Sequence, residues 1–138
     1  MTPPTPAPAS FFRPLPRLRT WRLLGALAIV LTIVLSLVPM PPSPVHVEGG
    51  DKIEHLLGYF VLAAWHVQLV ANARALAWCA VGLLLLGAGI EVAQGFTTWR
   101  EANWSDLGAN LVGVAAGSAL YATPLRHALA RFDRARKP

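Results

Sequence analysis

The chain has 138 residues, of which 54% are hydrophobic and 14% charged, and its mean hydropathy is +0.47. A soluble domain of this size carries nearer about 25% charge, so the composition argues against an ordinary soluble core and for a single membrane domain. The net charge of +5 would fit nucleic acid, but the basic residues collect at the ends of apolar segments, as membrane topology requires, and nucleic acid is not expected as a partner.

Residues 1–20 are rich in proline and arginine and read as a disordered cytoplasmic tail. A helix of about 20 mostly apolar residues crosses a bilayer. Four segments fit: 21–38, 53–71, 75–94 and 104–122. The first stops at PMPPSP, where proline cannot continue a helix, and has no small-x-small site that would mark it as a cleaved signal. Residues 21–123 then form one four-helix membrane domain and 124–138 a basic cytoplasmic tail. Cys79 lies alone in the third apolar run, which excludes an internal disulfide and makes it a small apolar residue.

Ten of the twelve lysines and arginines fall on one side of this topology: Arg13, Arg17, Arg19, Arg22, Arg74, Arg126, Arg131, Arg134, Arg136 and Lys137. Only Lys52 and Arg100 fall on the other. The positive-inside rule therefore expects an all-α, four-span integral membrane protein with both termini cytoplasmic, multi-pass in a bacterial-type inner (cytoplasmic) membrane.

The costly polar groups gather at the outward edge. At about 100° per residue, Asp106, Asn110, Gly113 and Gly117 share one face of the fourth helix. Gly87, Glu91 and Gln94 share a face of the third. Asp51, His55 and Tyr59 share a face of the second, with Gly58 beside it and His66 deeper. Ionisable residues in such segments face the bundle interior or a wet cavity and are functional candidates by default.

Each residue also has a plainer role. Asp51 with Glu54, and Asn103 with Asp106, can act as helix caps. Asn110 can be interhelical glue, Gly113 and Gly117 close-packing positions, and His66 a satisfied core histidine. Arg100 can be an interfacial anchor or an ion-pair partner, and Glu48 and Glu101 solvated loop charges. His55 is harder to dismiss, because its ordinary pKa suits proton transfer near neutrality.

DKIEHLLGYF, residues 51–60, resembles the first motif of VanZ-like membrane proteins: D-K-x-x-H, then an aromatic after a glycine. Glu91 and Gln94 as E-x-x-Q, then Arg100, then D-x-x-x-N-x-x-G at Asp106, Asn110 and Gly113, resemble the second. The likeness covers roughly residues 21–122. It departs before Arg100, where family members often have proline or glycine and this chain has Thr97, Thr98 and Trp99. The resemblance implies an envelope protein and a link to glycopeptide resistance of the teicoplanin type. Related membrane families have been proposed to act on lipid head groups or lipid-linked cell-wall precursors.

The expectation is recognition, and in its enzymatic version modification, of an anionic lipid or lipid-linked precursor head group at the outer face. His55 would be general base or nucleophile, oriented by Asp51 or Glu91, with Asp106 as a second acid or base. Lys52 and Arg100 would hold phosphate, and Gln94, Asn110 and Tyr59 would complete the binding site. Asp51, His55, Glu91 and Asp106 can all ligate metals, but their spacing forms no recognised metal motif, and no metal or other cofactor is expected. The rival is a non-catalytic binding or scaffolding protein whose polar cluster locks the bundle. A transporter is disfavoured, because no polar line crosses the bilayer. The enzymatic version requires His55 within about 8 Å of Glu91 and Asp106 beside a shared cavity.

Overall fold

The structure, a computed structural model, describes residues 10–39, 50–99 and 103–135. Glu48, Arg100 and Glu101 lie outside them. The described chain is helical: α1 Leu18–Leu37, α2 Gly50–Leu69, α3 Ala73–Gln94, α4 Trp104–Ala119, 3₁₀ turns at Leu120–Ala122 and Pro124–His127, and α5 Ala128–Ala135. A single isolated bridge, Phe12 to Val70, is the only strand-like pairing among the described residues.

Local chemistry sets the helix ends. Val38, the residue before Pro39, is extended, as proline demands of its predecessor, and α1 stops there. The Asn72 side chain accepts from Ala75 N–H at 2.9 Å to start α3. The Asn103 side chain accepts from Ser105 N–H at 3.1 Å to start α4. The fourth segment, expected as one helix over 104–122, tightens into a 3₁₀ turn after Ala119 and ends at Thr123, the residue before Pro124.

α2 is the central helix, and α4 lies closest against it. The small residues of α4 explain the approach. A Cβ at Gly113 would strike the Leu56 carbonyl oxygen and come within 3.0 Å of Phe60 N. One at Gly117 would lie 2.5 Å from Phe60 O and 2.8 Å from Ala63 Cβ. These glycines are close-packing positions, with α2 backbone where side chains would otherwise stand.

An apolar core around Tyr59, Leu62, Ala63, Leu83 and Val114 coexists with buried polar groups and exposed apolar ones. Glu91, Gln94, Asp106 and Asn110 are buried, while Leu27, Leu57, Leu85 and Leu111 are more than half exposed on the outer faces of α1 to α4. α1 and α3 are long and apolar enough to cross a membrane by length and composition. α2 is diluted by Lys52, Glu54, His55, His66 and Gln68. α4 has 16 residues, about 24 Å of helix against a hydrocarbon core of about 30 Å.

Residues 10–17 and 124–135 meet at one end of the bundle. Arg13 N–H donates to Leu69 O at 2.8 Å, and Ala71 N–H to Phe11 O at 3.0 Å. Gln68 binds Leu125 O through Nε2 and Leu129 N–H through Oε1. Asp133 of α5 is 1% exposed and accepts from Arg17 Nε at 2.6 Å and Arg17 N at 3.1 Å. Burial alone would raise its pKa, but these Arg17 hydrogen bonds outweigh burial and hold the carboxyl below its ordinary range. The described parts of the segments expected as tails, 10–17 and 124–135, are thus docked on the bundle.

Candidate functional site

The opposite end holds the first turns of α2 and α4, the last turn of α3 and the end of α1. Gln94 Nε2 donates to Ser36 O at 2.9 Å, and Trp99 Nε1 to Leu37 O at 3.1 Å, which ties α3 and its following turn to α1. The close α2–α4 contact at Gly113 and Gly117 sets the register that brings Asp106 and Asn110 opposite His55.

His55 Nδ1 lies 3.2 Å from Asn110 Oδ1. An amide oxygen can only accept, so Nδ1 carries the proton in this bond, and the Nε2 lone pair of a neutral ring faces the other way. Nε2 is 3.6 Å from Asp106 Oδ2, too far for a good hydrogen bond. Lys52 Nζ, at the partly exposed rim, is 3.6 Å from Asp106 Oδ1 and 3.6 Å from Asp51 Oδ2. Glu91 is 1% exposed, and its Oε2 accepts from Asn103 N–H at 2.9 Å. One ligand atom from each of His55, Glu91 and Asp106 lies within 4.8 Å of the others.

The cluster is not closed on itself. Glu91 Oε1, Asn110 Nδ2 and Tyr59 Oη are buried without a hydrogen-bond partner among the described residues. A Cβ at Gly87 would lie 2.7 Å from Asn110 Nδ2 and 3.0 Å from Tyr59 Oη, so the missing side chain makes the space in which these groups converge. A buried polar atom left without a partner costs about 1–3 kcal/mol, and three such atoms lie in this one cluster.

His55 also faces a cleft of about 350 Å³ between α1, α2 and α3, lined by Thr32, Leu35, Ser36, Glu54, His55, Gly58, Tyr59 and Gln94. His55 and Tyr59 belong to both the cluster and the cleft lining. The distance requirement for concerted proton transfer is met. The shared cavity is not: Glu91 and Asp106 are not among the residues that line the cleft.

Of the residues singled out from sequence, His55, Tyr59, Glu91, Gln94, Asp106, Asn110 and Lys52 come together at this end. Asp51 does not join them. Its side chain is 55% exposed and paired with Lys52, and Asn110 takes the place expected for Asp51 beside the imidazole. Arg100 lies outside the described residues. Gln94 spends its amide on Ser36 and so braces α1. Glu54, read from sequence as a capping residue, lines the cleft. His66 bonds its own helix, Nδ1 donating to Leu62 O at 2.7 Å. Thr32 and Ser36 were not anticipated. Their four-residue spacing in an otherwise apolar run places two hydroxyls on one face of α1, and that was the available signal.

The chain matches no family model, no curated protein and no solved structure.

Proposed function

We propose that the chain is a four-span membrane protein, similar to the VanZ-like family, with both termini cytoplasmic. Its outward cleft recognises the anionic head group of an envelope lipid or lipid-linked cell-wall precursor, and its His55 cluster alters that head group. The observation that carries this is the pairing of a mainly apolar cleft carrying several polar groups with buried carboxylates through one imidazole. A bundle locked only by polar contacts would leave neither a 350 Å³ cleft nor three unpartnered buried polar atoms.

The apolar outer faces of all four helices support bilayer burial, because contiguous exposed apolar surface of this kind is not left to water. The docking of residues 10–17 against α5 supports placing both termini on one side. Reporter fusions that fluoresce only in the cytoplasm are expected to light up at either end of the chain; a dark fusion at one end overturns the four-span topology.

In this reading Lys52 supplies charge at the rim and Asn110 holds the His55 tautomer that leaves Nε2 free to accept a proton. Asp106 stabilises the imidazolium that results. Arg100, in the outward loop, remains a candidate phosphate ligand.

Gly58 gives a direct test of the cleft. A Cβ there meets nothing within 4 Å, and the position lines the opening. Gly58→Leu is expected to keep the fold, since leucine is favoured over glycine in a helix by about 1 kcal/mol, while filling the cleft. Native mass spectrometry of the detergent-purified protein is expected to show a co-purifying anionic lipid on the wild type and its loss from Gly58→Leu. Equal lipid retention by both overturns the cleft as the binding site.

A further inference from the structure

We infer that His55, Glu91 and Asp106 form a binding site for one divalent transition-metal ion. The inference concerns the His55 cluster of the proposed function and rests on that reading for the head group the ion would meet, not for whether it binds; with the ion bound, His55 Nε2 is a ligand and no longer the proton acceptor.

Four observations converge. The donor set is one imidazole nitrogen and two carboxylates from three different helices, with ligand atoms within 4.8 Å of one another. Such a mixed N/O set suits zinc and its neighbours better than calcium or magnesium, which prefer oxygen alone. The His55 Nε2 to Asp106 Oδ2 separation of 3.6 Å is long for a hydrogen bond but close to the about 3.4 Å that separates two ligands held about 2.1 Å from a tetrahedral ion. Ligand atoms as much as 4.8 Å apart must close to about 3.4 Å around such an ion, so binding draws the side chains together by up to about 1.4 Å.

The outer contacts are those of metal ligands. A metal-bound histidine donates its other ring N–H to an oxygen that fixes the tautomer, and Asn110 Oδ1 stands at Nδ1 in that position. Glu91 is held through Oε2 by Asn103 N–H, which leaves Oε1, 1% exposed as a residue and unpartnered, to ligate. Finally, charge requires a counterion. Two buried carboxylates sit beside one imidazole, with one rim ammonium 3.6 Å from Asp106 and none beside Glu91 among the described residues. A dication supplies the missing positive charge where desolvation makes it most valuable. With three protein ligands, a fourth position stays open for a head-group oxygen.

The test uses full-length protein in detergent, stripped with a chelator, freed of envelope lipid and titrated with zinc ions. The wild type is expected to take up one tight equivalent. Glu91→Gln and Asp106→Asn, which keep side-chain shape, and His55→Ala are each expected to weaken uptake at least about tenfold, and Asn110→Ala by about 10–100-fold. His127→Ala, at the opposite end, keeps the tight site. No stoichiometric uptake by the wild type, or uptake unchanged in all three ligand variants, overturns the proposal and leaves the cluster to water.

Because a variant can fail by misfolding, X-ray absorption on the zinc-loaded wild type gives a second readout. One imidazole with oxygen neighbours at about 2.0–2.1 Å is expected. A shell without imidazole overturns the site. Loading is measured without lipid, so its failure leaves the head-group reading standing, and failure of lipid capture with zinc uptake intact leaves the metal site standing.

Discussion

Gly113→Ala is expected to force α4 away from α2 and to lower stability by at least about 1–3 kcal/mol, the usual range for overpacking. The reason for placing it at or above that range is what the new methyl group meets. Overpacking is mild when a flexible side chain can rotate aside. Here the obstacle is the Leu56 carbonyl and the Phe60 amide, part of α2's own hydrogen-bonded backbone. Gly117→Ala meets Phe60 O in the same way and is expected to behave alike. Gly108→Ala, on the same helix but with nothing within 4 Å of its Cβ, is the control. It should be neutral or slightly stabilising, because alanine is the better helix former. Thermal unfolding of the three purified variants checks the contrast, and equal melting temperatures for Gly108→Ala and Gly113→Ala would remove the close-packing account of α2 and α4. The same displacement carries Asp106 and Asn110 off His55, so the site should fail with the fold.

His55→Ala is expected to do the reverse: abolish function while the chain still accumulates. The His55 side chain is 18% exposed, at a cleft wall rather than in the tight α2–α4 seam, so its truncation widens an existing space. What it removes is, among the described residues, the cleft-lining group that lies 3.6 Å from Asp106. Positioned proton-transfer groups contribute about 10²–10⁴-fold to rate, so residual turnover should be near background. Glu91→Gln separates charge from shape. Its amide oxygen can still accept from Asn103 N–H, so α4 stays anchored while the buried negative charge is gone. If Glu91→Gln retains full function, Glu91 is a structural anchor and not part of the chemistry.

How much of this was legible in the sequence follows from what spacing can and cannot say. Helical spacing placed His55, Glu91, Asp106 and Asn110 on inward faces at one end, and the structure brings them within reach of each other. The apolar composition marked the helices, because few other chains keep so little charge. Spacing fixes the side of a helix, not the neighbour across from it. Asp51 shares a face with His55 but lies one turn nearer the helix end, where its carboxylate is exposed and pairs with Lys52. Asn110, 55 residues away, reaches the imidazole because Gly113 and Gly117 set the register of α4. No local pattern carries that information.

The C-terminal segment shows the same limit. Its positive charge marked a basic tail, and charge alone did not show that Asp133, the one acidic residue among Arg126, Arg131 and Arg134, is buried against Arg17 and docks α5. The 3₁₀ turn after Ala119 was equally hidden, although Pro124, five residues beyond Ala119, marks where the helix could not run on.

The central claim is that the outward cleft acts on an anionic head group through His55. The most direct measurement is a comparative lipid and cell-wall-precursor profile of host cells carrying wild type, no copy, or His55→Ala at matched membrane abundance. The account predicts a head-group species that appears or disappears with wild type alone. A wild-type profile identical to both the empty and the His55→Ala cells would contradict it, and the cluster would then be a binding surface or a polar lock for the bundle.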